Sequence, residues 1–189
     1  VEGDLNLSCG EAIIRQILYA QKYTKQKFGV QSAICWQPDT FGHPATMPQI
    51  LSKSGIKYYY FCRAGKKETL FWWESPDGSR VLTLRDNWGY TNEVIPTTVV
   101  KSVITYAENA GIRAGFLVFG VGDHGGGATT RDVAAAQEIN SAPLLPKVAH
   151  VPARAFFEHA LQGGDNMPVV CGEMNPIFEG CYTSGAEIK

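Results

Sequence analysis

The sequence predicts an α/β protein with a mostly parallel sheet, part of a (β/α) barrel carrying one hairpin excursion. Three observations predict it. Short apolar runs alternate with longer segments of helical periodicity, the pattern of strand–helix–strand units. The run Ala33-Ile-Cys-Trp36 leads straight into Gln-Pro-Asp-Thr-Phe-Gly42 and then a helical stretch, which frees an acidic side chain at the carboxyl end of a strand. Pro76-Asp-Gly78 separates two further apolar runs and favours a tight turn between them.

Each element has its own signal. Ser8-Cys-Gly-Glu11 has capping-box spacing and announces a first helix. Ile14, Ile17, Leu18, Gln21, Lys25 and Phe28 recur at helical spacing until Gly29, which offers a C-cap. A strand over Ala33 to Trp36 follows, then a helix near Thr46 to Ser54, opened by Pro48 and stopped by Gly55. The aromatic run Lys57 to Cys62 is expected as a buried strand. Leu70 to Glu74 and Arg80 to Leu84 form the hairpin. Val99, Val100, Val103, Ile104 and Ala107 mark an amphipathic helix ending at Gly111, which feeds a strand at Gly115 to Phe119. A glycine-rich loop over 120 to 127, a helix from about Thr130, a short strand near Lys147 to His150, a helix over Val151 to Gln162 and a strand from Pro168 to Cys171 complete the reading.

Composition narrows the function. The chain has 189 residues, 44% of them apolar and 19% charged, and a formal charge of −1. That suits one globular domain over 1–189 and argues against a nucleic-acid surface, which needs basic residues gathered on one face. Lys66-Lys67 is the only adjacent basic pair. No apolar run approaches the roughly 20 residues that span a bilayer, and the first residues lack a signal-peptide pattern. Five cysteines without a CxxC pair suggest neither a zinc ribbon nor a complete disulfide framework; Cys35 and Cys62 read as small buried hydrophobes.

Two carboxylates stand out. Asp39 can attack a sugar's anomeric carbon, bind a metal, or simply cap the following helix. Asp123 follows the apolar run 115–119 and precedes three glycines, which let backbone approach a ligand closely. That loop lacks the Lys-Ser/Thr ending of a P-loop and the spacing of a dinucleotide fingerprint, so nucleotide binding is rejected. His124 is an alternative proton donor. Arg63 ends the strand beside Asp39's and points to the same rim. His43, His150 and His159 share no ligand-like spacing and read as structural or surface residues, and Trp36, Trp72 and Trp73 as packing residues.

The stretch from Trp36-Gln-Pro-Asp-Thr-Phe-Gly42 to Met47-Pro-Gln-Ile-Leu-Ser-Lys-Ser-Gly-Ile56 resembles the nucleophile region of the α-mannosidases of glycoside hydrolase family 38. The likeness continues, in that family's order, through Tyr60-Phe-Cys-Arg63, the 70–82 hairpin, Gly122-Asp-His-Gly-Gly-Gly127 and Phe178-Glu-Gly-Cys-Tyr-Thr-Ser184. It covers nearly the whole chain. The resemblance implies a seven-stranded barrel of the family 38 type and hydrolysis of terminal α-mannosides with retention of configuration. It gives Asp39 two roles, nucleophile and zinc ligand, and makes Asp123 the general acid/base. Arg63 then lies beside the nucleophile, while Phe41 and Phe178 line the sugar pocket, with Glu173, Asn175 and Tyr182 at its edge. Mannose-containing glycans are the implied partners, and the bacterial and cytosolic or vacuolar-type branch is favoured over the Golgi enzymes.

Zinc is the implied cofactor, but the family draws its other ligands, two from an earlier strand and one from a later helical region, from beyond these residues. Asp39 alone does not make a zinc site, which takes four ligands or three plus water. A complete barrel also needs about 250 residues. The expectation is therefore an internal portion of a larger enzyme, which binds zinc poorly and is inactive or nearly so as the isolated chain. The alternatives are a metal-dependent carbohydrate deacetylase on a similar barrel and a non-catalytic glycan-binding domain.

Overall fold

The computed structural model describes residues 4–65, 68–122, 126–163 and 167–175, which divide between two compact units, Val1–Arg85 with Met167–Lys189 and Asp86–Asn166. The first unit holds helix α1 (Gly10–Phe28), strand β1 (Ile34–Gln37), helix α2 (Met47–Lys53) and strands β2 (Tyr58–Phe61), β3 (Leu70–Glu74) and β4 (Arg80–Arg85). The second unit contributes helices α3 (Pro96–Ala110), α4 (Thr130–Ser141) and α5 (Ala153–Gln162), and strand β5 (Val169–Cys171) returns to the first.

The sheet runs β1-β2-β4-β3-β5. β1 pairs with β2, β2 with β4 and β3 with β5 in parallel, while β3 and β4 form the antiparallel hairpin. The sheet is mixed, mostly parallel and open among the described strands. These five strands do not by themselves show the barrel of which the sequence predicts a part.

β2 is flanked by parallel neighbours on both edges and is buried at every position, which is why its sequence is a continuous aromatic run instead of an alternation. Tyr59 and Phe61 pack with Phe71, Trp73 and Val81 from the hairpin and with Met47 and Leu51 of α2. At the hairpin turn Ser75 N–H donates to the Ser79 carbonyl at 3.0 Å, and Gly78 takes φ 81°. That left-handed conformation is the reason for glycine there.

The structure corrects several expectations. α1 starts at Gly10 with Cys9 as its N-cap and no side-chain cap, so Ser8 falls outside the helix. Glu11 instead accepts from Arg15 one turn on, at 2.7 Å. The buried stripe of α1 is Ile13, Ile17 and Gln21, leaving Ile14 and Leu18 exposed. Gln21 is buried because its amide clamps Ser32, donating to its carbonyl and accepting from its N–H, both at 2.8 Å. Trp36 is half exposed: Cys35 faces the core, so alternation along β1 turns Trp36 to the other side, where it stacks on Tyr60 at 3.8 Å.

Neither strand expected in the second unit forms a ladder. At 115–119 side chains do the work of a neighbouring strand: Ser102 donates to the Phe116 carbonyl and Asn92 to that of Val118, leaving a single bridge between Asn92 and Phe119. At 147–150 the Asn140 amide takes both the N–H and the C=O of Val148, at 2.7 and 2.8 Å. The capping box expected at Ser8 occurs instead at Thr129 and Asp132, at the start of α4.

Candidate active site

Asp39, Phe41 and Arg63 meet at the carboxyl ends of neighbouring parallel strands. Asp39 lies two residues beyond β1 and Arg63 two beyond β2, and the β1–β2 register sets Gln37 opposite Phe61. Both exits therefore open at one level. Arg63 Nε–H donates to Asp39 Oδ1 at 2.8 Å, with side chains 42% and 44% exposed. The guanidinium carbon stands 5.7 Å from the centre of the Phe41 ring, within cation–π range. Asp39 does not cap α2, whose N-cap is Thr46. Its carboxylate is held at the rim by an arginine and remains reachable from solvent.

The intervening loop is tightly built. Thr40 Oγ1 donates to Gln37 Oε1 at 2.6 Å, bringing the loop back over the end of β1. Gly42 has φ 90°, and a Cβ there would stand 2.2 Å from Asn6 Nδ2 and 2.8 Å from Asn175 Oδ1. Asn6 donates to Asn175 at 2.8 Å across this space. Asn175, expected at the edge of a sugar pocket, thus backs the loop, while Glu173 is exposed.

His43 is fully buried, with Nδ1 2.7 Å from the Tyr59 hydroxyl. Burial pushes its imidazole down to about 4, against a smaller opposing influence of the Arg63 backbone, so the ring is neutral near pH 7. Cys35 and Cys62 are partly buried instead of fully buried, Cys35 packs against the core, and its thiol is pushed up to about 11 by desolvation in the surrounding protein. Spacing alone reads His43 as a structural or surface residue. Its place in a glycine-broken loop after a strand, four residues from Asp39, was the available signal.

Asp123 and His124 lie outside the described residues, as do Phe178 and Tyr182. The chain on either side of Asp123 is described. Val121 N–H donates to the Gly127 carbonyl at 3.1 Å and Gly120 N–H to that of Asn92 at 3.2 Å. Asp132 accepts from the Thr129 hydroxyl and backbone, and its carboxyl is held below its usual range first by the Thr129 hydroxyl and then by the backbone N–H of Thr129. Among the described residues no group of three or more His, Cys, Asp or Glu could hold a metal ion. The one zinc ligand expected in this chain is Asp39, so the described residues do not by themselves fit a zinc site. No helix among them is long and apolar enough to cross a membrane.

The family described as glycosyl hydrolases family 38 N-terminal domain matches residues 1–175. Alpha-mannosidase 2C1 of Homo sapiens is 32% identical over 199 aligned positions, covering 100% of this chain and 19% of that protein. An alpha-mannosidase of Saccharomyces cerevisiae is 29% identical over 206 positions, again covering 100% of this chain and 19% of its own length. The crystal structure of an alpha-mannosidase from Enterococcus faecalis superposes with a TM-score of 0.68 and 21% identity, over 87% of this chain and 20% of that one. At that identity the likeness speaks for the fold. The chain thus spans about a fifth of the length of the curated relatives it matches. With the family's N-terminal domain matched over all but the last residues, the chain belongs to glycosyl hydrolases family 38.

Proposed function

We propose that these residues form part of the catalytic centre of a retaining α-mannosidase acting on terminal α-mannosides of glycans. The observation that carries the reading is the Arg63–Asp39 pair at the exits of β1 and β2, half exposed and flanked by Phe41. Family membership and the names of the relatives supply the substrate class.

In this reading an Asp39 carboxylate oxygen bonds to the anomeric carbon as the glycosidic C–O bond breaks, and Asp123 passes its proton to the departing oxygen. Water then attacks the anomeric carbon from the face the leaving group vacated, and the bond to the Asp39 oxygen breaks, returning the carboxylate. Asp123 takes the water's proton, and two inversions give net retention. Arg63 Nε–H donates to Oδ1 of Asp39, which favours the ionised carboxylate and orients it at the rim. Phe41 offers an apolar face to the sugar, and Phe178 is proposed to line the same pocket. Zinc, held in part by Asp39, would supply charge stabilisation at the sugar oxygens, and among the described residues no group of three or more His, Cys, Asp or Glu could hold it.

The test is hydrolysis of an aryl α-mannoside, with and without zinc, by a protein of its relatives' length that carries these residues. Hydrolysis lost in Asp39→Asn, with α-mannose as the first product by NMR, supports the reading. Hydrolysis that survives Asp39→Asn, or β-mannose as the first product, overturns it. Zinc-dependent turnover by the 189 residues alone would locate a complete metal site within them.

A further inference from the structure

Four residues beyond Asp39 the loop buries a polar ring that the proposed chemistry does not use. His43 reaches three segments. Nδ1 meets the Tyr59 hydroxyl at 2.7 Å, the ring packs on Phe61 at 4.6 Å between centres, and both belong to β2. The His43 backbone exchanges two hydrogen bonds with Met174, at 3.1 and 2.9 Å, just after β5. Nε2 is buried without a hydrogen bond among the described residues. The ring also feels the Arg63 backbone, at the exit of β2.

These links close a circuit. From Asp39 the chain runs to His43, from His43 side-chain contacts lead to β2, β2 leads to Arg63, and the Arg63 guanidinium returns to Asp39. Packing alone does not account for an imidazole at this position. An apolar ring would fill the same space without leaving a buried nitrogen short of a partner, which costs free energy. What an apolar ring cannot do is hold the Tyr59 hydroxyl and so fix the loop's register on β2.

We propose that His43 is a positioning residue that holds the Arg63–Asp39 pair in place by tying the loop after β1 to β2 and to the segment after β5. Its meaning for catalysis rests on Asp39 being the nucleophile. Its effect on the pair does not.

The test therefore reads the pair without turnover: exchange of the Arg63 Nε–H with solvent, followed by nitrogen-15 NMR on this chain. Arg80 Nε–H, paired with Glu74 across the hairpin, is the internal control. His43→Phe keeps the ring's bulk, Tyr59→Phe removes the hydroxyl, and His43→Asn keeps a polar atom where Nδ1 stood. Arg63 Nε–H should exchange about tenfold faster in His43→Phe and Tyr59→Phe, the loss of roughly one hydrogen bond's net contribution, and stay close to the parent in His43→Asn. Arg80 should not change. Unchanged Arg63 exchange in both phenylalanine variants, or loosening of Arg63 and Arg80 together, overturns the proposal. If His43→Phe does not fold, Tyr59→Phe carries the test alone. A failed mannosidase reading would show separately, in the hydrolysis assay.

Discussion

Among the side-chain contacts between the loop after β1 and β2 with its exit, a charged one and a neutral one are nearly equal in length: Arg63–Asp39 at 2.8 Å and His43–Tyr59 at 2.7 Å. They differ in everything else. The first is charged and half exposed, so water and salt screen it and it contributes little to stability. The second is neutral and fully buried, where a hydrogen bond left unmade costs the desolvation of both groups. The difference teaches how one loop divides its work. In the proposed reading the Asp39 carboxylate needs solvent access, so its own contacts cannot hold it firmly, and firmness would come from the buried pair a few residues along the chain.

The largest effect should fall on activity at the exposed pair. Asp39→Asn should lower aryl mannoside hydrolysis by at least about 10³-fold, as loss of a nucleophile does, while leaving the melting temperature almost unchanged. The buried pair should behave in the opposite way and respond to acid. His43 titrates at about 4 in the folded chain against an ordinary 6.5, so the unfolded chain takes up the proton first. Stability from the neutral ring is whole above pH 6.5, falls as the pH drops towards 4 and is gone below it, a total of about 3 kcal/mol. Urea melts at pH 7, 5.5 and 4.5 measure this slope, which should flatten in His43→Phe.

Gly42→Ala probes the link between the two pairs. A side chain at φ 90° is strained, and its Cβ would stand 2.2 Å from Asn6 Nδ2, so a loss of about 2 kcal/mol in denaturant melts is expected. Asn6→Ala in the same background should recover part of it, because the strain and the 2.8 Å approach to Asn175 Oδ1 remain while the closest clash does not. The smallest effect is Arg63→Ala, below about 1 kcal/mol in stability, because the pair is solvent screened. A larger loss would mean that the exposed pair, and not the buried one, holds the loop.

What could be read in advance follows the same division. The positions of Asp39 and Arg63 were legible because a strand end fixes where a side chain emerges, and strand ends show in the sequence as an apolar run meeting proline or glycine, whereas Phe41 by itself reads as core and only the family resemblance set it against a sugar. The hairpin and every described helix were legible from turn residues and periodicity. On α1 the expected Ile17 and Gln21 are buried, but Ile13 takes the place given to Ile14 and Leu18 is exposed, since Ile13 and Ile14 are equally apolar and only tertiary packing decides between them. The two missing strands show a further limit. An apolar run has the same appearance whether a neighbouring strand or the side chains of Ser102, Asn92 and Asn140 take up its backbone groups. His43 was visible as a residue but not as a tie, because its partners Tyr59 and Met174 are remote in sequence. Asp123 and Phe178 carry roles that only the family resemblance assigned.

The most direct test of the account is to trap the covalent intermediate. A fluorinated mannosyl fluoride, which forms the glycosyl-enzyme faster than water releases it, would be reacted with a protein of its relatives' length carrying these residues, and the digested peptides weighed by mass spectrometry. One fluoromannosyl adduct is expected on the peptide containing Asp39, as an ester of that carboxylate. An adduct on a different carboxylate, or hydrolysis of aryl mannosides with no adduct at Asp39, would contradict it.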